Sequence, residues 1–319
     1  MAANTGNQVT IDIGGSTFTM DFEGQLRKAL NHKADFPKEL AYTSNMVKWA
    51  KIADGSYQTS DEMSIIEATA KEVVSQMPSG TNIIDLGAAN SAKYEPYVRE
   101  FLAQGKTCTY IPLDIENSSL AAQVGRAKAK FPGLASYGIW GSFQHGDDYF
   151  KQIPPARLFL SLGSIFYNGP DEVAEERCQN FRRHLKPSDR LIVGQDGPSG
   201  LQTTNVTDPY NTKEYKAFFT GYLMAIQAEA GINADVNKAW SFKSMTDNTK
   251  HYFNVTAKHD MVCTKYEGFT IKAGTTYQMF KSWKRTEADI SQISAKNGLT
   301  VKLLGKAKNS GMRQFLVQN

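Results

Sequence analysis

Ile83-Ile84-Asp85-Leu86-Gly87-Ala88-Ala89-Asn90-Ser91 is the stretch on which the fold turns. An apolar run ends in an acid, and a tract of small residues then lets a ligand approach the backbone. It holds one glycine, not the spaced glycines of a dinucleotide loop, and no Lys-Ser/Thr pair of a phosphate loop. Outward from it, Tyr110-Ile111-Pro112-Leu113-Asp114 is a second strand ending in an acid. Residues 157–162 and 190–194 are near-continuous apolar strands, and 136–140 is a further candidate. Helical patterns separate them. Ser60-Asp61-Glu62 reads as an acidic helix start, with Ile65, Ile66, Ala68, Val73, Val74 and Met77 marking one face and Pro78-Ser79-Gly80 ending it. Further helices are expected at 94–102, 118–129 and 171–185. Apolar strands alternating with helices predict an α/β fold whose parallel sheet is covered on both faces. In such sheets the ligand crevice lies beyond the carboxyl ends of the strands.

The flanking regions break this rhythm. The first 60 residues are mixed: TIDIGGSTFTMDF, around Gly14-Gly15, suggests a short hairpin, and 37–54 has helical spacing. After residue 198 comes a long amphipathic helix at 211–230, a strand at 250–256, a strand-and-turn segment at 269–277, a helix at 286–297, and a final strand pair at 300–304 and 312–317. The predicted division is therefore 61–197 plus 286–319 as a Rossmann-like domain, and 1–60 plus 198–285 as a mixed α/β substrate-binding domain.

Composition narrows the partners. The 319 residues are 41% hydrophobic and 21% charged, as in a globular protein. Lys+Arg 36 against Asp+Glu 32 leaves +4, with no polybasic block, so neither nucleic acid nor an anionic membrane is favoured. Cys108, Cys178 and Cys263 are odd in number and far apart, which fits neither a disulfide framework nor a zinc ligand set, and no metal is expected. No signal peptide and no membrane-spanning run are read, so the expected setting is reducing and cytoplasmic. The Asn117, Asn205 and Asn254 glycosylation triplets read as chance matches. The histidines form no evident base, and the adjacent acids Asp147-Asp148 and Glu175-Glu176 do not share a helix face.

Asp85 and Asp114 stand 29 residues apart at two strand ends. An acid at the second end reaches ribose hydroxyls, and without a phosphate cradle the pair fits S-adenosylmethionine, with S-adenosylhomocysteine as product. The competing reading is two acids that cap helices or meet solvent.

Five ordered blocks, SYQTSDEMSII, IIDLGAANSAK, YIPLDIENSSL, LFLSLGSIFYN and HLKPSDRLIVGQD, resemble the amino-acid N-methyltransferases typified by the histidine N-methyltransferase of ergothioneine synthesis and the dimethylallyltryptophan N-methyltransferase of ergot alkaloid synthesis. The resemblance implies a class I methyltransferase sheet and a role for each matching residue. Asp85, Gly87 and Ala88 would line the methionine and sulfonium side, and Lys93 would reach the cofactor carboxylate. Asp114 would hold the ribose, Ile115 and Phe143 would pack on adenine, and Gly163 lies in the loop that also carries Asn168. Ser142 stands where the family usually has Asp, so its bond to adenine would be weaker. Tyr57 and Asn168 would orient the amine, with Tyr42 and Tyr210 nearby.

Histidine-specific relatives carry Glu-x-Ser-x-Lys-aromatic near the end of the inserted region. Aligned on Lys281, that motif has Tyr277 for the Glu and Met279 for the Ser. An imidazole would lose both partners, which argues against histidine and for a bulkier, more apolar amine. The expected function is N-methylation of a small amine in fungal secondary metabolism. Alternatives are O- or C-methylation of a bulky metabolite, and a non-catalytic methyltransferase-like binding protein.

Overall fold

The computed structural model describes residues 9–88, 91–198 and 209–319. Ala89 and Asn90 of the strand-end loop, and Asn205, lie outside them. In chain order, β1 (Thr10–Asp12) precedes α1 (Phe22–Leu30), α2 (Glu39–Asp54) and α3 (Tyr57–Ser75). Alternation follows: β2 (Thr81–Leu86), α4 (Glu95–Ala103), β3 (Cys108–Asp114), α5 (Asn117–Lys130), β4 (Ala135–Ser136), β5 (Gly138–Trp140), α6 (Phe143–Tyr149), β6 (Arg157–Ser161), α7 (Asp171–His184) and β7 (Arg190–Asp196). Next come α8 (Lys213–Ala230), α9 (Val236–Ala239), β8 (Trp240–Thr246), β9 (Lys250–Ala257), β10 (Met261–Cys263), β11 (Phe269–Ile271) and β12 (Thr276–Trp283). The last elements are α10 (Glu287–Lys296), β13 (Thr300–Lys306) and β14 (Met312–Gln318).

The chain divides into two units. The first holds the described parts of 1–18, 61–197 and 285–319. Its sheet runs β1-β5-β3-β2-β6-β7-β14-β13, with β4 beside β3. Pairs from β1 to β7 are parallel; β14 runs antiparallel to β7 and to β13. The order reverses between β2 and β6, so the loops after these two strands flank the switch point where such sheets bind ligands. Successive strand residues point to opposite faces. Ile83, Tyr110, Leu158 and Ile192 join one core with Ile66, Val73 and Phe101. Ile84, Ile111, Phe159 and Val193 join the other with Cys178, Phe181 and Ile290. Continuous apolar strands follow from burial on both faces.

Two sequence expectations are corrected here. TIDIGGSTFTMDF forms no hairpin. Thr10, Ile11 and Asp12 pair parallel with Gly138, Ile139 and Trp140, which places this strand in the main sheet rather than in the second domain. Asp12 Oδ1 accepts from the Gly14 and Ser16 amides, at 2.9 and 3.3 Å, and turns the chain away before a return strand can form. The helix expected to begin at Ser60 begins at Tyr57, after Ser56, whose Oγ accepts from the Gln58 amide at 3.0 Å. Glu62 is therefore inside the helix.

The second unit holds 19–60 and the described part of 198–284. Its sheets are β12-β9-β8 and the pair β10-β11. In β9, His251, Phe253, Val255 and Ala257 alternate inward. Phe253, Val255 and Ala257 pack in an aromatic-rich core with Leu26 and Leu30 of α1 and Phe218, Phe219 and Tyr222 of α8. Asp21 starts α1 by accepting from the Gly24 amide. No described helix is long and apolar enough to cross a membrane.

Candidate functional site

Strand β2 delivers Asp85 to the switch point, 3% exposed. The Tyr110 hydroxyl donates to its Oδ2 at 2.9 Å, and Tyr94 stacks on the Tyr110 ring at 3.8 Å. Gln123 donates to the Tyr110 oxygen at 3.0 Å, so the phenol is held from both sides. Burial pushes the Asp85 carboxyl up to about 7; the Tyr110 hydrogen bond and the Lys93 ammonium oppose this, and Asp114 and Glu62 add to it. Beyond the strand end, the Gly87 amide donates to the Leu113 carbonyl at 2.9 Å. Gly87 has φ +69°, and a Cβ there would sit 3.4 Å from Ile165 and 3.5 Å from the Phe143 ring. Glycine thus keeps both a left-handed turn and a narrow gap. Ala88 is buried beside it.

Lys93 and the loop after β6 meet at Glu62. The Lys93 Nζ donates to Glu62 Oε2 at 2.6 Å. The Gly163 amide faces both Glu62 oxygens at 3.0 Å. Gly163 and Ser164 both take left-handed backbone conformations, and the Ser164 Oγ accepts from the Asp196 amide at 2.9 Å. Asn168 is half-buried further along, where Arg177 donates to its carbonyl.

Asp114 ends β3 at 8% exposure and accepts from the Glu116 amide at 3.1 Å. The Ile115 carbonyl accepts from Trp140 Nε1 at 2.9 Å. Ser142 caps α6: its Oγ accepts from the His145 amide, while its own amide donates to His145 Nδ1. Phe143 follows, 41% exposed. Asp85, Gly87, Ala88, Lys93, Asp114, Ile115, Ser142, Phe143, Gly163 and Asn168 all belong to the first unit, at or just beyond the carboxyl ends of its parallel strands.

The tyrosines belong to the second unit. Tyr57 is half-buried at the start of α3. Tyr42 packs against Trp49, Phe218 and Phe280. Tyr277 and Met279 lie in the core; Tyr277 stacks on His32 and donates to the Leu30 carbonyl at 3.1 Å. The alternation of β12 is interrupted by a register shift between Met279 and Ser282, with Phe280 at φ +53°. Beyond it, Tyr210 donates to Ser282 Oγ at 3.3 Å and accepts from the buried Lys284 at 3.0 Å. Tyr210 also stacks on His251 at 3.4 Å. Lys281, by contrast, pairs with Asp35 at the surface.

Sequence reasoning missed Glu62, Tyr110, Ser282 and Lys284. Glu62 had a readable signal, because it lies on the stripe that continues as Ile65, Ile66, Thr69, Ala70, Val73 and Val74, all buried. A carboxylate on an apolar face needs a buried partner. Among the described residues, no group of three or more His, Cys, Asp or Glu could hold a metal ion.

The profile of the family described as "Histidine-specific methyltransferase, SAM-dependent" matches residues 27–319. "N-methyltransferase imqF" of Aspergillus flavus is 25% identical over 262 residues, covering 78% of this chain and 70% of that protein. "Ergothioneine biosynthesis protein 1" of Neurospora crassa is 28% identical over 160 residues, 49% of this chain and only 18% of that protein. "4-dimethylallyltryptophan N-methyltransferase ifgB" of Penicillium roqueforti is 26% identical over 153 residues, 46% of this chain and 45% of that protein. Among solved structures, an S-adenosylmethionine-dependent methyltransferase of Clostridium acetobutylicum aligns with TM-score 0.47 at 11% identity, covering 86% of this chain and 98% of that one.

Proposed function

The chain belongs to the S-adenosylmethionine-dependent methyltransferase family described as histidine-specific, and from that premise we propose that it methylates the nitrogen of a small amine or amino-acid-derived metabolite other than histidine. The observation that carries the site assignment is the pair of strand-end carboxylates, Asp85 and Asp114, on neighbouring strands, with the Gly87 amide bonded to the carbonyl of Leu113 just before Asp114. These groups suit the cofactor. Asp114 can accept from ribose hydroxyls, and the Lys93 ammonium can donate to the methionine carboxylate. Ile115 and Phe143 offer apolar surface to adenine, and Ser142 a hydroxyl to its amine. A side chain at Gly87 would fill the gap between Ile165 and Phe143.

Bound S-adenosylmethionine supplies an electrophilic methyl group on sulfur. Asp85, Gly87, Ala88, Lys93 and Asp114 would hold it, and the methyl would pass to a neutral nitrogen's lone pair with the thioether as the other product. The chain's task is alignment and exclusion of water. Tyr57 and Asn168 are assigned to orient the amine, which must be neutral to react, with its proton passing to solvent.

The substrate reading rests on where the Glu-x-Ser-x-Lys motif falls. Lys284 is 2% exposed and tied to Tyr210, whereas Lys281 serves a surface pair. Setting the motif's lysine at Lys284 keeps a serine, Ser282, and puts Phe280 where the glutamate stands, displacing the Tyr277 and Met279 assignment. A phenyl ring offers an imidazole N–H only a weak π acceptor in place of a charged carboxylate oxygen. That supports a substrate with an apolar group in place of imidazole.

Calorimetric titration of S-adenosylhomocysteine, followed by a panel of amines in the same cell, tests the reading. Micromolar binding that Asp114→Ala abolishes, with an aromatic or prenylated amine binding only to the loaded protein, is the expected result. Preferential binding of histidine would overturn the substrate class, and binding unchanged by Asp114→Ala would overturn the site.

A further inference from the structure

A fully buried carboxylate that serves three separate parts of a sheet needs a reason. Glu62 is 0% exposed, on the face of α3 that enters the first unit's core. Its two oxygens receive the Gly163 amide at 3.0 Å each, and Oε2 receives the Lys93 ammonium at 2.6 Å. Strand β7 makes room for it: a Cβ at Gly194 would lie 1.5 Å from Glu62 Oε1. Lys93 and Gly163 are themselves adjacent, since a Cβ at Gly163 would lie 3.7 Å from Lys93 Nζ. One side chain therefore fixes the residues that follow β2 and β6, the two strands flanking the switch point.

We infer that Glu62 is a positioning residue, which holds the Lys93 ammonium and the Gly163 amide where the amino-acid head of the cofactor is bound. The inference rests on the cofactor-site reading given above. An ammonium has three N–H donors, and Glu62 engages one of them. A lysine with a side chain 11% exposed is costly to keep charged without an anion. Glu62 supplies that anion from below. It also pins a left-handed glycine whose loop would otherwise be free to move its amide. The carboxylate itself touches no reacting atom; its effect passes through Lys93 and Gly163.

A ligand pair separates positioning from mere stability. S-Adenosylhomocysteine carries the amino-acid head, and 5′-methylthioadenosine has the same adenosine without it. Glu62→Gln keeps the volume and one acceptor but removes the charge. Calorimetry on the full chain is expected to show S-adenosylhomocysteine binding weakened by about tenfold or more, with methylthioadenosine changed by less than about twofold. Lys93→Met should give a similar selective loss, and adding Glu62→Gln to it should lose little more, because the two act in series. Should Glu62→Gln fail to fold, Glu62→Asp keeps the charge but withdraws it by one methylene, and the same selective loss is expected. Equal weakening of both ligands would reveal a purely structural residue and overturn the inference, as would unchanged affinity for both. A wild-type protein that binds neither ligand would overturn the cofactor-site reading itself.

Discussion

Asp85 holds its carboxyl where ionisation is opposed by burial, with only the Tyr110 hydroxyl and the nearby Lys93 ammonium in favour of the charge. The folded value is raised to about 7 from 3.8, so between these values the folded protein holds a proton that the unfolded chain has released. Its contribution to stability is complete below pH 4, declines as pH rises to 7, and is then lost. The largest penalty is on the order of 4 kcal/mol. Asn keeps an acceptor for Tyr110 and cannot ionise. Asp85→Asn is therefore expected to be more stable than wild type at pH 8, with the gain shrinking to nothing near pH 4. Denaturant unfolding at fixed ionic strength measures it. A gain independent of pH would show that Asp85 does not titrate in this window.

At the scale of elements, the proposed choice between Lys281 and Lys284 as the motif's lysine turns on β12. A regular strand would place alternate residues on one face, and the register shift after Met279 resets that alternation. Lys284→Met should cost more than about 2 kcal/mol in stability, or abolish amine binding, because it strips a buried partner from Tyr210. Lys281→Met breaks only a surface pair and should cost under about 1 kcal/mol. Equal effects in the two variants would place the motif elsewhere. The same distinction explains what the sequence makes legible. The strands β2, β3, β6 and β7 announce themselves because burial on both faces forces an apolar run. β1 is three residues long, and its alternation carries no information about its partner. Strand-end acids are visible because a polar residue interrupts the apolar run at a fixed place. Glu62 resembles a helix-start acid beside Ser60 and Asp61, and its partners lie 31 and 101 residues away. The bulge at Phe280 is a backbone event that no local pattern announces.

At the scale of the whole molecule, two buried groups titrate in opposite senses in two different cores. Burial, assisted by the Lys284 charge, lowers His251 from 6.5 to about 2. Its ring stays neutral in the folded state while the unfolded chain takes up a proton below pH 6.5. The resulting stability is whole above pH 6.5 and is lost as pH falls toward 2. Between pH 4 and 6.5 this slope opposes that of Asp85, so wild-type stability should vary less with pH than either group alone would dictate. His251→Phe keeps a ring against Tyr210 but removes the titration and the contact with Ser244, 2.9 Å from Nε2. Its stability relative to wild type should improve steadily as pH is lowered from 6.5 to 4, whereas that of Asp85→Asn should worsen. Comparing each variant with wild type at the same pH cancels the titration of the exposed carboxylates. Where unfolding is one cooperative step, both variants shift the same midpoint. Where the units melt separately, Asp85→Asn moves the transition of the first unit and His251→Phe that of the second. Parallel pH profiles for the two variants would refute the opposed titrations.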